Sequence, residues 1–491
     1  MNVEVKVLDI SAGRPVITLN KEDAETMSVF LGDRVCVSTQ NEKSVAIVDL
    51  SEEIPPGKAV IFEETRSELD IGEGDSLEIT PVMNPASVDS IMKKINGKEL
   101  EEDEVYSIVK DVADRRLRDS EVMAYTVATQ MSEFSLEESK YLTKAMVDTG
   151  DRINIEGALD KHCIGGVPGN RTTPLIVSII AAAGYKIPKT SSKAITSPAG
   201  TADTVGALAD VKYSAEEIED IVDSTNGCMT WGGGLDLAPA DEEFIKVKGS
   251  LDLDPLEQLL SSVLSKKKSV GAETVLIDIP TGEGTKVPGK GEANNLSKYF
   301  KKLGDEMDMN VVTMVSDGSR PIGQGIGPVL EARDILRILE SGGEEGPEDL
   351  RDKSIKMADI LLKEVSSEKS AKEILEKGDA YEKIKEILKE QNGNIFRSED
   401  IELAENKHVL TSDKRGRVKD ISNEPVNKIA KTAGCPKDKK SGLYLHKKMG
   451  DPVEEGDKLV TIYSENESRL DKAVEVAKEK TIYSFKSLLS K

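Results

Sequence analysis

The spacing of apolar residues changes along the chain and divides it into regions. In residues 1–83 apolar and polar positions alternate in short runs, as in residues 3–7, with Gly and Pro between the runs. A period of two predicts strands, so we interpret this region as a small β domain. Residues 32–37 are echoed by residues 74–79, each a Gly-Asp turn followed by an alternating strand, which suggests two similar halves of a compact barrel.

From residue 84 the apolar period becomes helical. Four apolar positions share one helical face: Val105, Ile108, Val109 and Val112. Ser135 with Glu138 three residues later is a capping box that predicts a helix start, and Gly150 is a natural end for that helix. We therefore predict a helical lobe over residues 84–155, joined by about residues 239–270.

The rest of the chain alternates strands, glycine loops and helices. In residues 156–238 and 271–407 this order predicts a mainly parallel sheet covered by helices. Residues 342–347 have the composition of a surface loop, and the Lys/Glu-rich helical run after it, to about Gln391, is expected to be a solvated outer layer. Residues 408–491 return to short strands and are interpreted as a β-rich α+β subdomain. The predicted fold class is therefore multidomain α/β.

Size and charge narrow the classes of function. A chain of 491 residues exceeds the ~250–300 residues that one core supports, which agrees with several domains. A net charge of −24 argues against a nucleic-acid partner, because that binding depends on lysine and arginine. No apolar run reaches the length of a membrane span, so a cytoplasmic protein without a membrane partner is expected. The cysteines form no CxxC pair, and no metal site is predicted.

A glycine loop that leads into an apolar helix is the most informative segment. In residues 160–174, Lys161 and three glycines precede Thr173, a natural N-cap, and Pro174, while Gly184 is placed to end the helix. Free amides and the helix dipole favour an anion at such a helix start. The alternative, a tight turn whose glycines serve packing only, stays open for this loop alone.

A second loop of the same kind follows. Residues 191–201 precede a helix expected to begin near Ala202, with Thr201 as its cap. Two converging helix starts of this kind would hold two anions or one large anion.

Six ordered motifs follow one another between residues 160 and 334: DKHCIGG, SSKAITSPAGTADT, WGGGLDLAPAD, SSVLSKKKSVGAE, GEGTKV and SDGSRPIGQGIGPVLEARD. Together they resemble the thymidine phosphorylase family, and more closely its archaeal branch of AMP phosphorylases. The resemblance extends from about residue 84 to the C-terminus, and the additional N-terminal domain is similar to that branch too.

The resemblance implies a reaction. Family members use phosphate to cleave the bond between sugar and base, so we expect a pentosyltransferase that converts AMP and phosphate into adenine and ribose 1,5-bisphosphate in nucleotide degradation, with CMP and UMP as further substrates. Inorganic phosphate would be the co-substrate, without a cofactor. The family fold, a helical lobe facing an α/β lobe across a cleft that closes on substrate, and the family's homodimers or larger homo-oligomers are expected here too.

The resemblance also implies site residues. The residues expected around phosphate are Lys161, Cys163, Thr173, Ser191 and Thr201. The residues expected at the nucleotide are Gly166, Ser192, Lys193, Ala194, Ile195, Thr196, Ser197, Thr201, Ser262 and Lys286. Nucleoside enzymes of the family commonly have serine where this chain has Cys163, and a thiol is the weaker donor, so a small buried residue of the turn is the equal alternative there.

Asp254 matches the position that the AMP phosphorylases use as proton donor. The departing adenine carries negative charge unless a ring nitrogen is protonated, and a positioned carboxylic acid supplies that proton. The alternative role is an N-cap before Pro255.

Two rival functions remain at the level of the sequence. One is a thymidine or pyrimidine nucleoside phosphorylase, although Val247 stands where those enzymes carry an arginine that grips pyrimidine oxygens. The other is a nucleotide-binding sensor without turnover. Selectivity for a 5′-phosphorylated substrate would come from further donors, with Lys193, Thr196 and Ser197 as candidates.

Overall fold

The fold is that of a computed structural model, which describes residues 1–491 except Glu133, Ile195, Thr196, Asp252, Asp254 and residues 487–491, and except the side chain of Ser250. The chain divides into two compact units: residues 1–149 with 238–261, and residues 150–237 with 262–491. Among the described residues, no helix combines the length and apolar character needed to cross a membrane.

The first unit begins with a closed six-stranded barrel, which confirms the predicted β domain. Its elements are β1 (Asn2–Val7), β2 (Val16–Asn20), α1 (Lys21–Thr26), β3 (Arg34–Ser38), β4 (Lys43–Ser51), β5 (Lys58–Ile61), α2 (Glu63–Leu69) and β6 (Ser76–Pro81). The strand order is β1-β5-β2-β4-β3-β6. Exchanging β1–β3 with β4–β6 reproduces this pairing, since β1 runs parallel to β5 as β4 does to β2. The alternating apolar side chains, such as Val35 and Leu77, fill the interior.

The two echoed turns have the same structure, as the sequence predicted. The Asp33 carboxylate accepts the N–H of Phe30 at 2.8 Å, and the Asp75 carboxylate accepts the N–H of Gly72 at 2.8 Å. The glycine before each aspartate has a positive φ, 83° at Gly32 and 85° at Gly74. Each half therefore enters its third strand through the same tight turn.

A helical bundle follows the barrel. Its first helices are α3 (Ala86–Ile95), α4 (Glu102–Ala113), α5 (Asp119–Met131) and α6 (Leu136–Asp148). The capping box is confirmed, since Ser135 accepts the N–H of Glu138 and the Glu138 carboxylate accepts the N–H of Ser135. The predicted apolar face of α4 is buried in the bundle core.

The second unit then supplies strands and helices in alternation. They are β7 (Ala158–Cys163), α7 (Thr173–Ala182), β8 (Ile187–Ser191), α8 (Thr201–Val205), α9 (Ala215–Thr225) and β9 (Gly227–Trp231). The next segment returns to the bundle with α10 (Pro239–Lys248), and α11 (Leu256–Ser269) runs along the chain from one unit into the other. Val247 lies in the bundle core.

The second unit continues with β10 (Ala272–Thr281), α12 (Lys290–Glu306), β11 (Asn310–Asp317), β12 (Gly325–Ile326) and α13 (Pro328–Glu340). The strands β11, β10 and β7 form a parallel sheet in that order, and β8 pairs in parallel with β9. The predicted parallel sheet is therefore confirmed, and its carboxyl ends bring Cys163 opposite Asp278.

The Lys/Glu-rich run corrects one prediction. It forms α14 (Glu348–Glu364), α15 (Ala371–Glu376) and α16 (Asp379–Glu390), which pack against α7. These helices are not only a solvated outer layer, because their apolar faces, including Met357, Leu361 and Ile387, belong to the main core of the unit. Since α7 is apolar on all sides, it needs cover that these helices supply.

The C-terminal subdomain is β-rich, as predicted. It contains β13 (Asn406–Thr411), β14 (Gly416–Ile421), α17 (Asn423–Ala433), β15 (Gly442–Leu445), β16 (Pro452–Val453), β17 (Lys458–Ser464), α18 (Glu467–Glu479) and β18 (Tyr483–Lys486). Two sheets, β12-β15-β17-β13 and β16-β14-β18, carry it. Because β12 pairs with β15, the segment after β11 is held by this subdomain.

Candidate active site

Lys161 is a buried lysine at the carboxyl end of β7. Its side chain donates to Thr172 Oγ1 at 2.9 Å, and the residue is 3% exposed. Within the described part of the chain, Lys161 forms no ion pair with a carboxylate. Burial lowers the pKa of Lys161 to about 8, against smaller raising effects of Cys163 and Asp278. A buried cation without a counter-ion favours an anionic ligand.

Two further lysines lie close to Asp160, the residue before Lys161 in β7. Asp160 is fully buried and pairs with Lys267 at 2.8 Å and Lys189 at 3.3 Å, while burial holds the pKa of Lys189 well below its usual value. Burial and these lysines hold the pKa of His162 well below its usual range, so His162 is a neutral imidazole near pH 7. Lysine side chains are therefore gathered at this strand in a chain whose net charge is −24.

The first glycine loop lies beside the loop that carries Lys286. A Cβ atom at Gly166, whose φ is +106°, would lie 3.5 Å from the backbone nitrogen of Lys286. The helix after the loop begins at Thr173, so Thr172 and not Thr173 is the cap, while Gly184 follows the helix end as predicted. The first-turn amides of a helix lack intrahelical partners and point toward the loop.

The second loop differs from its prediction in one respect. Its helix α8 has only five residues and begins at Thr201, with Gly200 and not Thr201 as the cap. The Asp203 carboxylate accepts the amides of Ala194 at 2.7 Å and Gly200 at 2.8 Å. Because a carboxylate occupies these amides and the helix is short, this helix start contributes little of the positive potential expected from it.

Arg171 joins the two loops. Its guanidinium donates to Thr201 Oγ1 at 3.0 Å and to the Ala199 carbonyl at 2.6 Å. Since Thr172, the next residue, contacts Lys161, the Lys161 and Thr201 corners lie together in one unit, as the phosphate-site hypothesis requires. The sequence interpretation missed Arg171, although an arginine two residues before the predicted N-cap Thr173, in a glycine loop, was a usable signal.

Cys163 has a partner other than an incoming ligand. Its thiol donates to Asp278 Oδ2 at 3.3 Å and accepts from Asn170 Nδ2 at 3.3 Å. Burial, and then Asp278, raise the pKa of Cys163 to about 12, which keeps it a neutral thiol. Asp278 is itself fully buried, pairs with Lys353 at 2.7 Å and accepts from Ser316 Oγ at 2.6 Å. These neighbours were not foreseen from the sequence.

Comparisons with known proteins agree with this arrangement. Residues 88–150 match the glycosyl transferase family helical bundle domain, residues 156–315 its a/b domain, and residues 417–484 the pyrimidine nucleoside phosphorylase C-terminal domain. The chain is 42% identical over 486 residues to the AMP phosphorylase of Natronomonas pharaonis, covering 97% of this chain and 96% of the relative. It is 40% identical over 487 residues to the AMP phosphorylase of Thermococcus kodakarensis, with the same coverage. The chain belongs to the AMP phosphorylase family.

A solved structure shows the fold of part of this family member. Anthranilate phosphoribosyltransferase from Thermus thermophilus aligns with a TM-score of 0.52 at 18% identity, and the match covers 62% of this chain and all of that one. The fold of 62% of this chain is therefore shared with that transferase. Family membership makes the present chain a glycosyltransferase enzyme.

The other residues predicted for the AMP phosphorylase site occupy several positions in the second unit. Lys193 is exposed, with Nζ 4.1 Å from the Trp231 ring centre, and Ser197 donates to the Ala199 carbonyl. Ser191 Oγ is buried without a hydrogen-bond partner among the described residues, at the end of β8. The remaining placements are these: Ser192 is exposed, Ser262 is half-buried on α11, and Lys286 is exposed. Ile195, Thr196 and Asp254 lie outside the described residues.

Proposed function

We propose that the chain catalyses the phosphorolysis of AMP to adenine and ribose 1,5-bisphosphate. Relatives named AMP phosphorylase, at about 40% identity over nearly the whole chain, support this activity. The observation that carries it is the buried Lys161, which has no ion-pair partner among the described residues and lies beside the first turn of α7, at the corner that Arg171 links to Thr201. Such a corner suits orthophosphate, which brings the missing negative charge.

Phosphate is the nucleophile in the proposed reaction. One phosphate oxygen forms a bond to the anomeric carbon while the bond from that carbon to the adenine nitrogen breaks, through an oxocarbenium-like transition state. Lys161, whose pKa is about 8, is protonated near pH 7. Its fixed positive charge then takes the place of water around the phosphate. Asp254 gives its proton to the departing base, which is carried over from the family as a proposal.

The 5′-phosphate of AMP puts a second anion into the same site. Two anions in one pocket repel each other, and fixed cations reduce this cost. We assign the 5′-phosphate to Lys193, Thr196 and Ser197, and the rest of the nucleotide to Gly166, Ser262 and Lys286. The packing of the Gly166 loop against the backbone of Lys286 supports a common site for these two residues.

A substrate panel tests the activity. Release of free base is measured for AMP, CMP, UMP, adenosine, uridine and thymidine, each with and without phosphate, and with a chelator present because no metal cofactor is proposed. Phosphate-dependent release of adenine from AMP, above that from adenosine, is expected. Preference for uridine or thymidine would instead support a nucleoside phosphorylase, and tight AMP binding without base release would support a sensor.

One variant tests the assigned role of Asp254. Asp254→Asn is expected to lower kcat far more than it weakens AMP binding, since the carboxylic acid acts on the leaving group. Normal turnover in this variant would remove Asp254 from the mechanism.

A cytoplasmic homodimer or larger homo-oligomer is part of the proposal, and light scattering of the purified chain would check the assembly.

A further inference from the structure

Arg171 makes contacts that its position in a binding loop does not require. We propose that Arg171 is a positioning residue that fixes the Thr201 hydroxyl as a hydrogen-bond donor to the phosphate co-substrate, and that Glu331 holds Arg171 for this purpose. The inference rests on the proposed function, because it names a residue that serves the phosphate of that reaction.

The hydrogen bond between Arg171 and Thr201 has a fixed direction. Arg171 Nη1 lies 3.0 Å from Thr201 Oγ1. A guanidinium group has five donors and no acceptor, so the threonine oxygen must accept in this contact. The hydroxyl proton of Thr201 is then directed to some other acceptor. An anion beside the loop is an acceptor of the right charge.

The first corner repeats this arrangement. Lys161 Nζ donates to Thr172 Oγ1 at 2.9 Å, and an ammonium group likewise has no acceptor. Each corner therefore holds a threonine oxygen that accepts from a cation. Hydrogen bonds to an anion from such polarised hydroxyls are stronger than those between neutral groups.

Arg171 is held in place from three directions. Nη2 donates to the Ala199 carbonyl at 2.6 Å, and Nε donates to Glu331 Oε2 at 2.7 Å. Glu331 is 1% exposed, and its carboxylate also accepts from Thr204 Oγ1 at 3.1 Å and from the Gly327 amide at 3.2 Å. A flexible lysine has one donor group on a single stem and does not reproduce this fork.

The charge of Arg171 also acts on its neighbour. Arg171 is among the groups that lower the pKa of Lys161, although burial is the largest cause. The two cations therefore repel each other. A bound phosphate dianion relieves this repulsion, which adds to its attraction for the site.

The test is a set of variants with phosphate as the probe. Arg171→Lys keeps a positive charge near Glu331 but loses the fork, and Thr201→Val removes the hydroxyl. Each is expected to raise the KM for phosphate about tenfold or more, as loss of a hydrogen bond to a charged group does, and to change the KM for AMP by a clearly smaller factor. The double variant is expected to be no worse than Thr201→Val alone, because both changes remove one interaction.

Thr204→Val is the matched control. It removes a hydrogen bond to the same Glu331 carboxylate without touching Thr201, so the KM for phosphate should stay within about twofold of the wild type. The inference is overturned if this control matches Arg171→Lys, if the two single effects multiply in the double variant, or if the KM values for AMP and phosphate rise together.

Calorimetric titration with phosphate separates this inference from the activity. Wild-type turnover with unchanged phosphate binding in Arg171→Lys would overturn the inference and leave the proposed function standing. A wild type without turnover would overturn the proposed function. The Kd for phosphate in wild type, Arg171→Lys and Thr201→Val would then still decide the inference, since tenfold weaker binding in both variants supports it and equal binding overturns it.

Discussion

Two buried lysines, one in each unit, have opposite surroundings. In the helical bundle, Lys94 Nζ contacts both oxygens of Glu138, at 2.7 and 2.9 Å, and lies 4.6 Å from the Phe134 ring centre. In the α/β unit, Lys161 contacts the neutral hydroxyl of Thr172 and has no carboxylate partner within the described residues. Both residues are less than 4% exposed.

The difference separates a structural charge from a functional one. Glu138 also accepts the Leu100 amide and the Ser135 amide, so the bundle pair is neutral and its hydrogen bonds are satisfied. The effects of Cys163 and Asp278 on Lys161 are smaller than that of burial, so part of its desolvation cost remains until a ligand supplies negative charge. A buried lysine alone is therefore no indication of function, whereas a buried lysine without a counter-ion is.

The largest effect is expected at the paired lysine. Lys94→Met leaves Glu138 buried without its cation, which should lower the free energy of unfolding by about 3–5 kcal/mol, measured by denaturant titration. Activity per folded molecule should stay unchanged. Lys94→Met/Glu138→Leu should recover most of the loss, because it removes the isolated charge; a single variant as stable as the wild type would contradict the comparison.

The unpaired lysine should show the opposite pattern. Lys161→Met is expected to lower kcat/KM by about 10²–10³-fold, because a preorganised charge that stabilises the reacting phosphate is lost. Its free energy of unfolding at pH 7 should not fall, since a desolvated cation is removed. Lys94→Met is the control, and equal destabilisation by the two substitutions would refute the distinction.

The pH dependence sharpens the same contrast. The pKa of Lys161 is lowered in the folded chain from an ordinary value of 10.5 to about 8, so the cation is present below about pH 8 and is lost above it. The value of kcat/KM for phosphate should therefore fall about tenfold per pH unit above that point. Lys161→Arg should remove this decline in whatever activity it retains, because arginine stays protonated.

The same shift has a consequence for stability. Between about pH 8 and 10.5 the unfolded chain binds the Lys161 proton and the folded chain does not. The contribution of Lys161 to the free energy of unfolding therefore rises with pH across this window. Denaturant titrations at pH 8 and 10 give the free energies of unfolding of the wild type and Lys161→Met. The difference between these two free energies should become smaller as the pH rises.

The smallest effect is expected at Cys163. Because its thiol donates to Asp278, Cys163→Ser should change the KM for phosphate by less than about threefold, measured in steady-state assays. Asn170→Ala, which removes the other partner of the thiol, is the companion variant. A tenfold lower KM in Cys163→Ser would show that this side chain contacts phosphate after all.

Local signals predicted the fold well where they acted alone. The Ser135–Glu138 capping box and the alternating barrel strands depend on neighbouring residues and were confirmed. The helices between residues 348 and 390 were misjudged, because their charged faces outweighed the apolar ones in the interpretation. The apolar character of α7 on all sides already indicated that further helices must cover it.

The candidate site was predicted in part for the same reason. The glycine loops indicated Lys161 and Thr201 as site residues. In the structure, Arg171 links the loop before α7 to Thr201. Asp278 and Lys353 were not predicted as site residues, because Asp278 is separated from its partner Cys163 by 115 positions in the sequence. Contacts over such separations follow from strand register, which no short motif encodes.

The exchange symmetry of the barrel constrains how it is made during synthesis. Both neighbours of β1, the strands β5 and β6, belong to the later half of the barrel. During translation, β1 therefore lacks both of its native neighbouring strands until Lys58 and the residues after it have left the ribosome. The barrel closes only once β6 has left the exit tunnel, so its two halves form one cooperative unit in translation.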